Sequence, residues 1–160
     1  PVIVTFTFDS TGKLLTGSNI PAALLLAEAG ADAVGINCSL GPEQMESFVD
    51  EMLTLTNLPI VINPNAGLPV SVNGETSYPV GPEEFYAYME RFAEKGAAIL
   101  GGCCGTTPEH IRKMTHRLAG RPVPVHGNPT QRALTSERAS LTFDLDGPFL
   151  IVGETNQSYR

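Results

Sequence analysis

Three short signatures constrain this chain more than any other feature. Gly41-Pro42-Glu43, Gly81-Pro82-Glu83 and Thr107-Pro108-Glu109 each precede an amphipathic stretch. Gly or Thr can serve as a helix N-cap. Pro suits the first helical position, because its missing N–H would be unpaired there. Glu then sits beside the positive helix end. The signatures predict helices over 42–55, 82–95 and 108–118. Met45, Phe48, Val49, Met52 and Leu53 give the first an apolar face, and Phe85, Tyr88, Met89 and Phe92 the second. A fourth helix is predicted over 21–28 (PAALLLAE), ended by Gly30. Apolar or β-branched runs alternate with these helices. Residues 2–8 (VIVTFTF), 33–38 (AVGINC), 59–63 (PIVIN) and 97–101 (AAILG) read as strands.

Four βα units in succession imply an α/β fold with a parallel sheet and right-handed crossovers. Two topologies fit: an open doubly wound sheet, or half of a (β/α)8 barrel, which needs about 250 residues in all. No GxGxxG or GxxxxGK[ST] follows a strand, so a nucleotide-binding version has no support. Residues 64–81, with Gly67, Pro69, Gly74 and Pro79, read as a long loop. After Gly120 the character changes. Residues 121–148 carry four prolines among polar residues and read as a linker or tail. Phe149-Leu150-Ile151-Val152-Gly153-Glu154-Thr155-Asn156 resembles a new strand and its turn, the start of a following domain over 149–160.

Composition narrows the partners. With 160 residues, 42% of them hydrophobic, the chain can bury a core. A net charge of −7 argues against nucleic acid or an anionic membrane as partner. No apolar run is long enough to span a bilayer, and no signal peptide is visible. The chain opens at Pro1, which reads as a fragment or a processed chain. Three cysteines are an odd count, which fits a reducing compartment and a cytoplasmic location.

Those cysteines carry the chemistry. Cys38 ends the second predicted strand, and Cys103 and Cys104 follow the fourth in GGCCGTTPEH. In parallel α/β proteins the strand C-termini share one face, and that face carries the site. The three thiols are therefore expected to converge. Three sulfurs without a fourth cysteine describe an open zinc site, its last position free for substrate. Plainly buried thiols and a strained Cys103–Cys104 disulfide are the alternatives, and no CxxC pair decides between them. Asn65, after the third strand, falls on the same face or caps its own turn. Asn37 either lines the site or serves the fold. His110, His116 and His126 lack ligand spacing with the cysteines and read as surface or helix residues. Glu43, Glu83 and Glu109 read as helix-start residues.

VGINCSLGPEQM, LPIVINPNAGLP and GGCCGTTPEHI together resemble the zinc-dependent homocysteine S-methyltransferase family, over roughly residues 1–118. The resemblance implies a (β/α)8 barrel, with residues 1–120 as its C-terminal half. It implies that Cys38, Cys103 and Cys104 are the zinc ligands, and that Asn65 can take the fourth position when substrate is absent. The implied activity is methyl transfer to homocysteine, giving methionine. Much of the homocysteine pocket then lies on the other half, so this chain alone should have an incomplete pocket, two unsatisfied sheet edges and little activity. Within the family, the homocysteine module of cobalamin-dependent methionine synthases is most similar. There a methyltetrahydrofolate-binding barrel follows, with a GERTN-like motif on its first strand. Val152-Gly153-Glu154-Thr155-Asn156 is similar but lacks the arginine, so the resemblance assigns no role to Glu154 and Asn156 either way. Cobalamin and methyltetrahydrofolate would sit on other modules of the same protein, which with homocysteine are the implied partners. A betaine or S-methylmethionine donor, a non-catalytic zinc-stapled module and a redox cysteine pair are the competing readings.

Overall fold

The computed structural model describes residues 1–124, 132–144 and 146–148. In chain order the elements are β1 (Ile3–Phe6), α1 (Ile20–Glu28), β2 (Ala33–Asn37), α2 (Pro42–Leu55), β3 (Ile60–Asn63), β4 (Val70–Val72), β5 (Glu75–Ser77), α3 (Pro82–Lys95), β6 (Ile99–Leu100), α4 (Pro108–Leu118), β7 (Arg132–Thr135) and β8 (Ser140–Phe143). Helices α2, α3 and α4 begin at the prolines of the three signatures, behind Gly41, Gly81 and Thr107 as N-caps. Helix α1 begins one residue before its proline, and Asn19 caps it by accepting from the Ala22 N–H at 3.0 Å. Gly96, at φ 119°, ends α3 in the left-handed conformation.

The main sheet has the order β1-β2-β3-β6, and every pairing is parallel. The order never reverses, and α1 packs on α2, α2 on α3, and α3 on α4. Right-handed crossovers in one direction place α1, α2 and α3 on one face, and α4 joins them there by packing on α3. The described sheet is thus singly wound, which removes the doubly wound alternative.

Strand register fixes which side chains meet the helices. Phe6, Ile36, Ile62 and Leu100 lie in one cross-strand row, and Val34 and Ile60 in another. These residues join Val49, Met52, Phe85, Met89 and Phe92 in the core. The row between them, Thr5, Gly35, Val61 and Ile99, points the other way. Ile99 on that side is 40% exposed. Gly35 is held there by space: a Cβ would lie 1.9 Å from the Val61 carbonyl oxygen.

Two regions differ from expectation. The long loop contains the β4–β5 hairpin, closed by Asn73-Gly74 at φ 53° and 84°. Two successive positive φ values are what a two-residue type I′ turn requires, and Asn-Gly supplies them. Within the tail, β7 and β8 form a second antiparallel hairpin. Its turn docks at the start of α1, where the Asn19 N–H donates to Arg138 O at 3.1 Å and Ser18 Oγ donates to Glu137 O. The strand-and-turn expected over 149–156, with Glu154 and Asn156, lies outside the described residues, as does His126.

Candidate metal centre

Three backbone segments meet beyond the C-terminal ends of β2, β3 and β6. Strand β2 runs out at Asn37, and the chain turns through Cys38 and Ser39 at φ 59° and 64°. Left-handed backbone is uncommon for residues other than glycine, and such strain gathers at functional sites. Hydrogen bonds hold this turn. The Cys38 N–H donates to Asn63 O at 2.9 Å, and the Leu40 N–H to Cys38 O at 2.7 Å. The segment after β3 joins this turn to the double-cysteine loop. Asn65 N–H donates to Leu40 O at 3.0 Å, Cys103 N–H to Pro64 O at 2.8 Å, and Ala66 N–H to Cys104 O at 2.8 Å. Thr106 closes the loop by donating from Oγ1 to Cys103 O at 2.6 Å.

This lacing brings the three thiols together. Cys38 Sγ lies 3.8 Å from Cys104 Sγ, and Cys103 Sγ lies 3.9 Å from Cys104 Sγ. All three sulfurs fall within 4.8 Å of one another. All three cysteines are free, so Cys103 and Cys104 are not joined as a disulfide. Tetrahedral zinc, with zinc–sulfur bonds of about 2.3 Å, holds its sulfurs about 3.8 Å apart. The donor set and its spacing therefore suit a thiophilic ion. Among the described residues this cluster offers three ligand atoms.

The thiols differ in environment. Cys38 and Cys103 are half-buried and Cys104 is exposed. Burial pushes the Cys38 thiol up, but hydrogen bonds from the Ser39 backbone, the neighbouring thiols and Asn65 outweigh it and bring it below the usual value. Burial also pushes the Cys103 thiol up; there the Cys38 and Cys104 sulfurs add to it, a backbone hydrogen bond at Cys104 offsets only part, and the value reaches about 11.

Asn65 is 4% exposed and lies inside the cluster. Its Oδ1 accepts from the Cys104 N–H at 3.1 Å, and its side chain also hydrogen-bonds the Cys38 thiol. Asn37 lies at the end of β2, level with Asn63 of β3 and next to Cys38.

Two residues at or behind the site were not anticipated. Tyr78 follows β5, and its hydroxyl hydrogen-bonds Cys104; burial, that bond and the cysteine charges push the phenol above its usual value. An Asn-Gly hairpin reading would have returned the chain to the site and exposed this tyrosine. His110 is a helix residue, as expected, but it is 5% exposed rather than on the surface. Thr107 N–H donates to its Nδ1 at 3.2 Å, so the ring carries its proton on Nε2, which donates to Val80 O at 3.0 Å. Its ring packs edge-on against Phe85. His116 is exposed on α4. Glu83 does more than start a helix: it pairs with Lys113 and, at 3.7 Å, with Arg117, tying α3 to α4.

Comparison with known proteins bears on this arrangement. The homocysteine S-methyltransferase family profile matches residues 1–118. Methionine synthase of Mycobacterium tuberculosis is 36% identical over 156 residues, covering 96% of this chain and 13% of that protein. Methionine synthase of Mycobacterium leprae is 41% identical over 121 residues, covering 74% of this chain and 10% of that protein. The crystal structure of the homocysteine methyltransferase MmuM from Escherichia coli, in its oxidized form, aligns with a TM-score of 0.53 at 31% identity, over 71% of this chain and 35% of that one. The chain thus spans about an eighth or less of the length of the two synthases. With a family match covering well over half of its residues, the chain belongs to the homocysteine S-methyltransferase family.

Proposed function

We propose that this chain is the C-terminal half of the homocysteine-binding (β/α)8 barrel of a methionine synthase, and that Cys38, Cys103 and Cys104 hold zinc in it. The observation that carries this reading is the convergence of three free thiols, from two strand ends, within 4.8 Å. A singly wound sheet of four parallel strands in sequential order supports the barrel. Both synthases are far longer than this chain, and the alignment with one of them runs past residue 118 into the tail. That supports residues 121–148 as the linker and 149–160 as the start of a following, pterin-binding-like domain. Cobalamin and methyltetrahydrofolate belong to those other modules. A reducing cytoplasm suits the three free thiols.

Bound zinc would keep the homocysteine sulfur deprotonated at neutral pH, as a free thiol with a pKa of about 8.5 is not. The chain's own residues prepare the place for it. The left-handed turn at Cys38 and the Pro64–Ala66 segment fix three sulfurs before substrate arrives. Asn65 braces two of the three cysteines from one buried carboxamide, Cys104 through its backbone N–H and Cys38 through its thiol. Its Oδ1 keeps a second lone pair beyond the Cys104 N–H, which is what filling the fourth position without substrate would need. Asn37 is placed to line the site's edge. The homocysteine sulfur then attacks the donor methyl carbon; the new S–C bond forms as the donor–carbon bond breaks, and methionine leaves.

A non-catalytic staple would need a closed site with a fourth protein ligand, and the cluster offers three among the described residues. The test uses the full-length protein. Cys38→Ala is expected to lose stoichiometric zinc and homocysteine-dependent methionine formation together. Retention of both would show that the three cysteines do not share one ion.

A further inference from the structure

The segment that carries Tyr78 is fixed from both sides. Val80 N–H donates to Ala66 O at 3.0 Å, one residue past Asn65. The Val80 carbonyl accepts from His110 Nε2 at 3.0 Å, so the buried ring at the start of α4 holds the same residue. Gly67 packs against Pro79 and Val80 so closely that a Cβ on it would lie 2.8 Å from Val80 Cγ2. Tyr78 is therefore not a free side chain on an exposed loop. Its ring lies against the Cα of Gly105, where a Cβ would come within 2.3 Å of Tyr78 Cγ. Gly105 also needs its glycine for backbone reasons, at φ +77°. The ring is seated on the residue that follows Cys104, which brings the phenol beside the Cys104 thiol.

We propose that Tyr78 is a positioning residue of the thiol site, its ring seated on Gly105 and its hydroxyl donating a hydrogen bond to the Cys104 sulfur. This rests on the metal reading above. Three thiolates on a divalent ion leave a net charge of about −1, and a substrate thiolate makes it about −2. Cys104 is the exposed member of the three, with the least protein around it. A neutral O–H directed at its sulfur draws off part of that charge and fixes the side chain's direction. Behind it, His110 positions Val80 and so the approach of Tyr78, which gives this buried histidine a purpose beyond capping α4. Tyr78 directly follows β5, so it joins the base of the β4–β5 hairpin to the site.

Tyr78→Phe removes one oxygen atom and leaves the ring on Gly105, so the fold is not at stake. In the full-length protein the variant is expected to release zinc to a chelator about tenfold more readily than wild type. With cobalt in place of zinc, its sulfur-to-metal charge-transfer band should move to lower energy, because the Cys104 sulfur regains the electron density that the hydroxyl drew off. Thermal unfolding should stay at the wild-type temperature. An unchanged band with unchanged zinc release would overturn the proposal for Tyr78 alone. A wild-type protein that holds no stoichiometric zinc would overturn the metal reading, and this one with it.

Discussion

At the scale of single residues, Asn65 is the side chain on which the candidate site turns. One buried carboxamide accepts from the Cys104 N–H and hydrogen-bonds the Cys38 thiol, bridging ligands that come from different strands. Asn65→Ala would leave a backbone N–H without its partner, at about 1–3 kcal/mol. We expect it to weaken zinc retention about tenfold or more, measured by chelator competition, while the Cys-to-Ala variants lose the ion outright. The thiols also set a pH dependence. In the metal-free site Cys103 is held protonated up to about 11, so an incoming ion must displace its proton at neutral pH. Apparent zinc affinity should therefore rise with pH between about 6 and 9 and fall toward acid, as titrations at stepped pH would show. A flat profile would mean that binding releases no thiol proton, which would contradict ligation by the three thiolates. The convergence of the cysteines and Asn65 was legible because strand-then-helix order puts their positions on one face. Tyr78 was not. It reaches Cys104 only because a hairpin folds back, and no periodic pattern marks that return.

At the scale of elements, the helix starts were the most legible feature, because an N-cap followed by Pro-Glu is a purely local instruction. Helices α2, α3 and α4 begin where that instruction stands. The hairpins were harder to read. Strands β4 and β5 have three residues each, all exposed, so hydrophobic alternation has nothing to report. Asn73-Gly74 was the available signal. Capping chemistry makes a prediction here. His110 bonds Thr107 and Val80 and packs on Phe85, so His110→Ala removes three hydrogen bonds and leaves a cavity. About 2–4 kcal/mol of local stability should be lost, read as faster amide exchange in the first turn of α4 and at Val80. Exchange limited to the wild-type rate would show that the ring is only a filler. Gly35→Ala meets the Val61 carbonyl with no side chain able to yield. It should prevent pairing of β2 with β3 and abolish soluble expression of the folded protein.

At the scale of the whole molecule, the sheet has one face covered by four helices and one that carries Thr5, Gly35, Val61 and Ile99. A barrel closes such a sheet by adding four more strands, so that the second face becomes an interior and both edges disappear. The alignment with the Escherichia coli methyltransferase covers 35% of that chain. With a methyl donor supplied in solution, the isolated 160-residue chain should therefore transfer methyl groups to homocysteine poorly, and addition of the preceding half of the barrel should raise the rate; efficient turnover by the chain alone would contradict the half-barrel. The two competing topologies could not be separated from the amino acids, since both use the same βα units. The strand order and the helix-to-helix packing show that the described sheet is singly wound. The central claim is an open three-sulfur zinc site, and X-ray absorption at the zinc edge of the full-length protein tests it most directly. The account predicts three sulfur scatterers at about 2.3 Å without substrate and four when homocysteine is added. A first coordination sphere that holds four protein ligands and does not change with homocysteine would contradict it.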